Sequence, residues 1–409
     1  MNLKIIFFTV LSFLFLGTAR SQQKFLFDAT KAEMAGNADW VIDADQHNIG
    51  FKNGLAVVGQ GNESNPQQFP TPAQSTVVAS TPETYWEGGI SAWGIDLVKR
   101  GYKVETLPYN GKITYKDPDN PQDLSHYNVF VVDEPNIAFS ASEKAAIINF
   151  VKNGGGLFMI SDHKGADRNN NGIDSPHVWN DLMQNNSVQK NPFGITYDYY
   201  SFSDKTENIP QLPTNPILHG PMGNVTRVEY YGGTSMTLDT LANSTVKGLV
   251  YRSGAVFNNK NVLVAYAKYG KGKVVAMGDS SPADDGTGDP NDRLYNGWTK
   301  DANGNHERLI MNASIWLATP EITGIPVNER NKKETVHIQI HNKTVSFVLS
   351  GYIKNPIHLI VYNVKGQQVA SLQNLKPQKT YSVKLSENGI YIYRIQYNNK
   401  QFVCGKFYF

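Results

Sequence analysis

NVFVVDEPNIAFSASEKAAIINFVKNGGGLFMISDH, Asn128 to His163, is the stretch whose reading decides the fold. Val129 to Val132 is a short β-branched and aromatic run that ends at Asp133 and Glu134, the pattern of a strand buried on both faces. Ser140 or Ser142, with Glu143 close behind, supplies an N-cap and a charged first turn for a helix that Gly154 to Gly156 stop. Leu157 to Ile160 is a second apolar run, ending at Ser161 and Asp162. Strand, helix and strand at this spacing predict a βαβ unit and hence a parallel sheet.

Working outward, KFLFDA (Lys24–Ala29) reads as a first strand ending at Asp28, and GGISAWGIDLVKRG (Gly88–Gly101) carries apolar residues at helical spacing. NVLVAYAKYGKGKVVAMGDSS gives two strands, Asn261–Tyr266 and Lys273–Met277, joined by a tight turn at Gly270 to Gly272. HERLIMNASIWLATP then predicts a helix from about His306 to Leu317 that covers the sheet. From Glu334 the chain shows only short alternating runs broken at Lys365-Gly366, Asn388-Gly389 and Asn398-Asn399, which predict a small all-β sandwich. The expected organisation is a signal peptide over 1–21, an α/β domain with polar loop insertions over 22–320, a linker over 321–333 and the β-sandwich over 334–409.

The first segment sets the compartment. Lys4, an apolar run from Ile5 to Leu16 and small residues before Ser21 form a signal peptide, too short for a membrane span, and no other segment offers about 18 uninterrupted apolar residues. The expected location is secreted, periplasmic or cell surface, with no transmembrane span. Cys404 is the only cysteine, so no intrachain disulfide forms. Lys and Arg total 38 against 36 for Asp and Glu, which argues against a nucleic-acid partner. Nothing in the sequence sets the oligomeric state.

Two resemblances follow from these motifs. DLSHYNVFVVDEPN, NFVKNGGGLFMISDH, YGKGKVVAMGDSS and HERLIMNASIWLA resemble the glutamine-amidotransferase-like group, including its trehalose-utilisation branch, over about Lys24 to Pro320. That resemblance implies a flavodoxin-like, mostly parallel sheet flanked by helices. A thiol nucleophile is excluded, because Cys404 lies outside the domain. VYNVKGQQV and ENGIYIYRIQ resemble the carboxy-terminal sorting modules of Bacteroidetes type IX export substrates, which implies a partner in the secretion machinery.

Strand ends of a parallel sheet open on one edge, where ligands bind. Asp28, Asp133 with Glu134, Asp162 with His163, and Asp279 each follow a predicted strand and should converge on one rim. Asp133, Glu134, Asp162, His163 and Asp279 are the catalytic candidates: they could act as general acid and base, or Asp162, His163, Asp133 and Asp279 could hold a divalent ion that activates water. No HExxH helix and no GxSxG elbow is present. The long polar loop Ser280–Glu307 is either a solvated surface loop or a site wall to which Asp284, Asp285, His306 and a sugar-stacking Trp298 belong. Trp86 and Glu87 precede a helix N-terminus; Trp86 is a sugar platform or a core residue.

ADRNNNGID, within Ala166 to Asp174, places Asp167, Asn169, Asn171 and the carbonyl of Ile173 at positions 1, 3, 5 and 7 of an EF-hand-like loop, with Gly172 at the turn. Position 12 is Val178 rather than Glu, so Asp174 or Asp181 would supply the missing carboxylate. A structural calcium ion and a polar turn held by Asx bonds are the two readings. Together these features predict a hydrolase acting on a carbohydrate, or alternatively a non-catalytic glycan-binding or cell-surface structural protein.

Overall fold

The computed structural model describes residues 22–42, 50–52, 55–57, 74–288, 295–301, 305–320, 336–341, 344–349, 357–364, 366–385, 389–397 and 401–408. The expected signal peptide and linker lie outside them. The chain divides into two compact units, Met1–Pro320 and Glu321–Phe409.

The first unit is a mixed α/β domain built on a nine-stranded sheet. Its strands are β1 (Lys24–Asp28), β2 (Lys103–Leu107), β3 (Val129–Asp133), β4 (Gly156–Ile160), β5 (Ile195–Tyr197), β6 (Met236–Leu238), β7 (Lys247–Tyr251), β8 (Val262–Tyr269) and β9 (Gly272–Met277). They lie in the order β2-β1-β3-β4-β9-β8-β6-β5, with β7 also paired to β8. The pairings from β2 through β9 are parallel, and those made by β8, β6, β5 and β7 are antiparallel. The sheet is thus parallel over one half rather than mostly parallel. The cause is local: the tight turn at Gly270 and Lys271 leaves no chain for a crossover, so β8 and β9 pair as a hairpin.

Alternation along the parallel strands divides the core into two. Phe25, Phe27, Val131, Phe158 and Met277 face one cluster, and Leu26, Phe130, Met159 and Ala276 face the other. The first is covered by α1 (Ser91–Lys99) and α4 (Asn305–Ala318), whose Trp93, Ile95, Leu309 and Ile310 are buried in it. The second is covered by α2 (Ala141–Lys152) and α3 (Ser175–Gln184) through Ile147, Phe150, Trp179 and Leu182. Ser140 and Glu143 form a capping box that fixes where α2 begins, and Asp174 caps α3. After β1 the chain crosses to β2 on one side; after β3 it proceeds to β4 on the other. This reversal, at the carboxyl ends of β1 and β3, is the place where open α/β sheets bind ligands.

The second unit holds two smaller antiparallel sheets. One joins Val336–His341, Thr344–Leu349 and Thr380–Lys384; the other joins Gln368–Leu375, Ile357–Asn363, Ile390–Tyr397 and Gln401–Tyr408. Phe347 of the first sheet packs against Tyr393 and Phe407 of the second, so both sheets contribute to one core.

Candidate functional site

Register brings the acids together. Asp133 lies opposite Ile160 of β4, and Ile160 lies opposite Met277 of β9, so Asp133, Asp162 and Asp279 leave three adjacent strands at the same edge. Neighbouring strands lie about 5 Å apart. All three carboxyls are buried, as is Glu134. Glu134 turns away from β3 with φ +48°, a left-handed backbone that costs a residue with a Cβ about 1–2 kcal/mol and that clusters at functional sites.

Arg168 organises the group. Its Nε donates to Glu134 Oε1 at 2.6 Å, its Nη2 to Asp162 Oδ2 at 2.8 Å and its Nη1 to Asn37 Oδ1 at 3.0 Å. Glu134 Oε2 also accepts from Ser280 Oγ at 3.1 Å and from the Trp40 indole. The pKa of Arg168 is raised, chiefly by Glu134, which keeps it a cation. Burial pushes Asp162 well above the usual carboxylate range, aided by Glu134 and Asp279 and opposed by Arg168. Asp133 is raised in the same way by burial, then by Glu134, Asp279 and Asp284, and neither of its oxygens meets a hydrogen-bond partner among the described residues. Asp279 accepts from Ser281 N at 2.9 Å and Tyr231 N at 2.5 Å, yet burial still lifts it to about 6.

His163 is the half-exposed member. Its Nδ1 lies 2.8 Å from Lys164 O, and since a carbonyl only accepts, the proton is on Nδ1. Nε2 has no hydrogen-bond partner among the described residues, and Gly232 sits against the ring edge, where a Cβ would stand 3.3 Å from Cδ2. Next to Gly232, the exposed Tyr231 lies against Tyr295 with ring centroids 3.9 Å apart and the rings tilted by 44°. On the other flank Lys164 N donates to Tyr200 O, which places the exposed Tyr200 beside the histidine.

Other candidates do different work. Trp86 and Trp298 are in the hydrophobic core and offer no ring face to solvent, so neither is a sugar platform. His306 accepts from Glu229 N on Nε2 and donates from Nδ1 to Gly297 O; burial lowers its pKa, and it is a neutral strut rather than a substrate ligand. Asp285 holds Ala92 N at the start of α1 and Thr287 N, while Asp284 holds Gly286 N and Tyr295 N, so both shape the loop from within. Asp28 accepts from Thr30 N and is raised to about 6 by burial against the pull of Lys31; its charged neighbours are Lys31 and Glu143, with Glu33 adjoining. Glu87 is half-buried at the approach to α1.

The segment after His163 is an Asx-rich loop. Asp167 accepts from Asn171 N at 3.0 Å and Gly172 N at 2.6 Å, and Asn171 Oδ1 accepts from Ile173 N at 2.8 Å. Asp174 is the N-cap of α3, accepting from His177 N and Gly165 N. Asn169 is only 2% exposed, and neither its Oδ1 nor its Nδ2 has a partner among the described residues. A buried polar group left unbonded costs about 1–3 kcal/mol. Among the described residues no three or more His, Cys, Asp or Glu side chains are arranged to hold a metal ion.

Sequence reasoning missed Arg168 and the tyrosines around His163. No local pattern marks either, because their roles come from chain crossings that only the tertiary fold makes.

No family model matches the chain, and no curated protein matches it. Among solved structures, the chain is similar to the mmIFT52 N-terminal domain, with 12% identity over 73% of this chain and 99% of that one and a TM-score of 0.42. It is also similar to a cytoplasmic protein from Salmonella typhimurium, with 13% identity over 72% and 98% and a TM-score of 0.38. A ThuA-like protein from Parabacteroides merdae matches with 12% identity over 54% and 80% and a TM-score of 0.31.

Proposed function

We propose that this chain is an exported hydrolase acting on a carbohydrate, with a flavodoxin-like, glutamine-amidotransferase-like catalytic domain and a β-sandwich tail of the type IX sorting kind. The observation that carries the reading is the convergence of Asp133, Asp162 and Asp279 from three adjacent strand ends beside the half-exposed His163. His163 is the general base: with Nδ1–H held by Lys164 O, its Nε2 lone pair takes a proton from water. The resulting hydroxide attacks the scissile carbon, and the leaving oxygen takes a proton from Asp133, whose carboxyl burial pushes well above the usual range with no cation beside it. Tyr231 and Tyr200 provide the exposed aromatic surface on which a sugar ring stacks. No step is assigned to a metal.

One observation favours a second reading, a non-catalytic glycan-binding or cell-surface protein. Arg168 closes over Glu134 and Asp162, so the acids double as a buried ionic strut. The two readings separate when the purified protein is incubated with starch, xylan, chitin, pectin and mucin glycans, with reducing-end release and retention on the polysaccharide measured separately. Release that His163→Ala abolishes supports the hydrolase. Retention without release from any of them supports the binding protein. Among the described residues no helix is long and apolar enough to cross a membrane.

A further inference from the structure

We propose that the Asp167–Ile173 loop is a calcium site whose ligands are the side-chain oxygens of Asp167, Asn169 and Asn171 and the carbonyl of Ile173. The proposal does not depend on the hydrolytic reading. Residue spacing alone left a polar turn equally open; the side chain of Asn169 is the independent observation. Its neighbours Asn170, Asn171 and Gly172 are exposed, whereas Asn169 is 2% exposed. Arg168 N donates to Asn136 Oδ1 at 2.9 Å and Asn171 Nδ2 donates to Asn136 O at 3.0 Å, so the loop is tethered on both sides of Asn169. The Asn169 carboxamide is buried and meets no hydrogen-bond partner among the described residues.

The remaining groups complete an oxygen-only set. Asp167 and Asn171 each accept backbone N–H bonds that fix the loop's curvature, and every such oxygen keeps a second lone pair. Asn170 at φ +56° and Gly172 at φ +87° make the two sharp bends that curvature needs. Four neutral or singly charged oxygens, with water filling the other positions, suit calcium, which takes six to eight ligands in flexible geometry; magnesium demands a stricter octahedron and gives up its water reluctantly. With Asp167 as the one carboxylate, affinity falls in the range of extracellular calcium modules, Kd about 10⁻⁴–10⁻³ M. Arg168 is the second residue of this loop, so an ion here also fixes the backbone that carries the bridge to Glu134 and Asp162.

The test uses the full chain, stripped with EDTA and titrated with CaCl2 or MgCl2 by calorimetry and by thermal melting. The wild type is expected to bind one calcium ion and to melt higher as calcium rises through about 10 mM, well past that Kd range, with a smaller response to magnesium. Asn169→Ala is expected to lose the calcium response while melting at the same or a higher temperature in EDTA, because it deletes an unbonded buried group. Asp174→Ala is expected to lower the melting temperature equally with and without calcium and to keep the response. The proposal is overturned by a wild type that does not respond to calcium, by equal responses to calcium and magnesium, or by a calcium response retained in Asn169→Ala. An Asn169→Ala that is destabilised equally with and without calcium also overturns it, since a purely structural role has that signature.

Discussion

Replacing Asp279 by Asn tests whether the rim acids are held against their preferred ionisation. Asp279 is fully buried, and its pKa rises from 3.8 to about 6. The sign follows from proton binding: between those values the folded chain holds a proton that the unfolded chain has lost, so stability from this group is fully present below about pH 4 and is lost as pH rises through about 6. At 1.36 kcal/mol per unit, the swing is about 3 kcal/mol. Asn has no such swing. The bonds from Ser281 N and Tyr231 N will be altered by the substitution, but that cost is independent of pH. The stability difference between Asp279→Asn and wild type should therefore move in the variant's favour by about 2 kcal/mol from pH 4 to pH 7.5, most of that swing. Urea unfolding followed by tryptophan fluorescence reads the correct unit, because all six tryptophans lie between Trp40 and Trp316, inside Met1–Pro320. Parallel pH profiles for the two proteins would show that Asp279 ionises freely in the folded state, and the argument from burial would fail.

Two further substitutions probe the same core. Arg168→Met should cost about 3–5 kcal/mol in urea unfolding at neutral pH, because it strands Glu134 and Asp162 without their cation, and the loss should shrink in acid as Asp162 takes up a proton; a loss that does not change with pH would deny the ionic role. Trp298→Ala should cost about 3–5 kcal/mol as a core truncation, and a loss below about 1 kcal/mol would return the ring to the surface.

The parallel half of the fold was legible because each element there is local. Val129–Val132, the Ser140–Glu143 box and Leu157–Ile160 carry their own start and stop signals, and strand order then delivers Asp133, Asp162 and Asp279 to one edge. The antiparallel half was harder to read. Strands of three residues such as β5 and β6 have too few positions for a period, and they are held by pairing, β6 with β8 and β5 with β6, rather than by their own propensity. Trp298 is buried although it sits in a polar loop: the loop folds inward on Asp284 and Asp285, and sequence polarity says nothing about which side chain that fold buries. Arg168 was illegible for the opposite reason, since its partners Glu134 and Asn37 lie 34 and 131 residues away.

The central claim is that His163 is a base serving chemistry at the strand ends. It is tested most directly by comparing wild type and His163→Ala on the polysaccharide that the screen selects, with turnover and equilibrium binding measured in parallel. The account expects kcat to fall by about 10²–10⁴, the usual worth of a positioned general base, while Kd stays within a few-fold of wild type. Turnover that survives the substitution, or a loss that resides wholly in Kd, would contradict it.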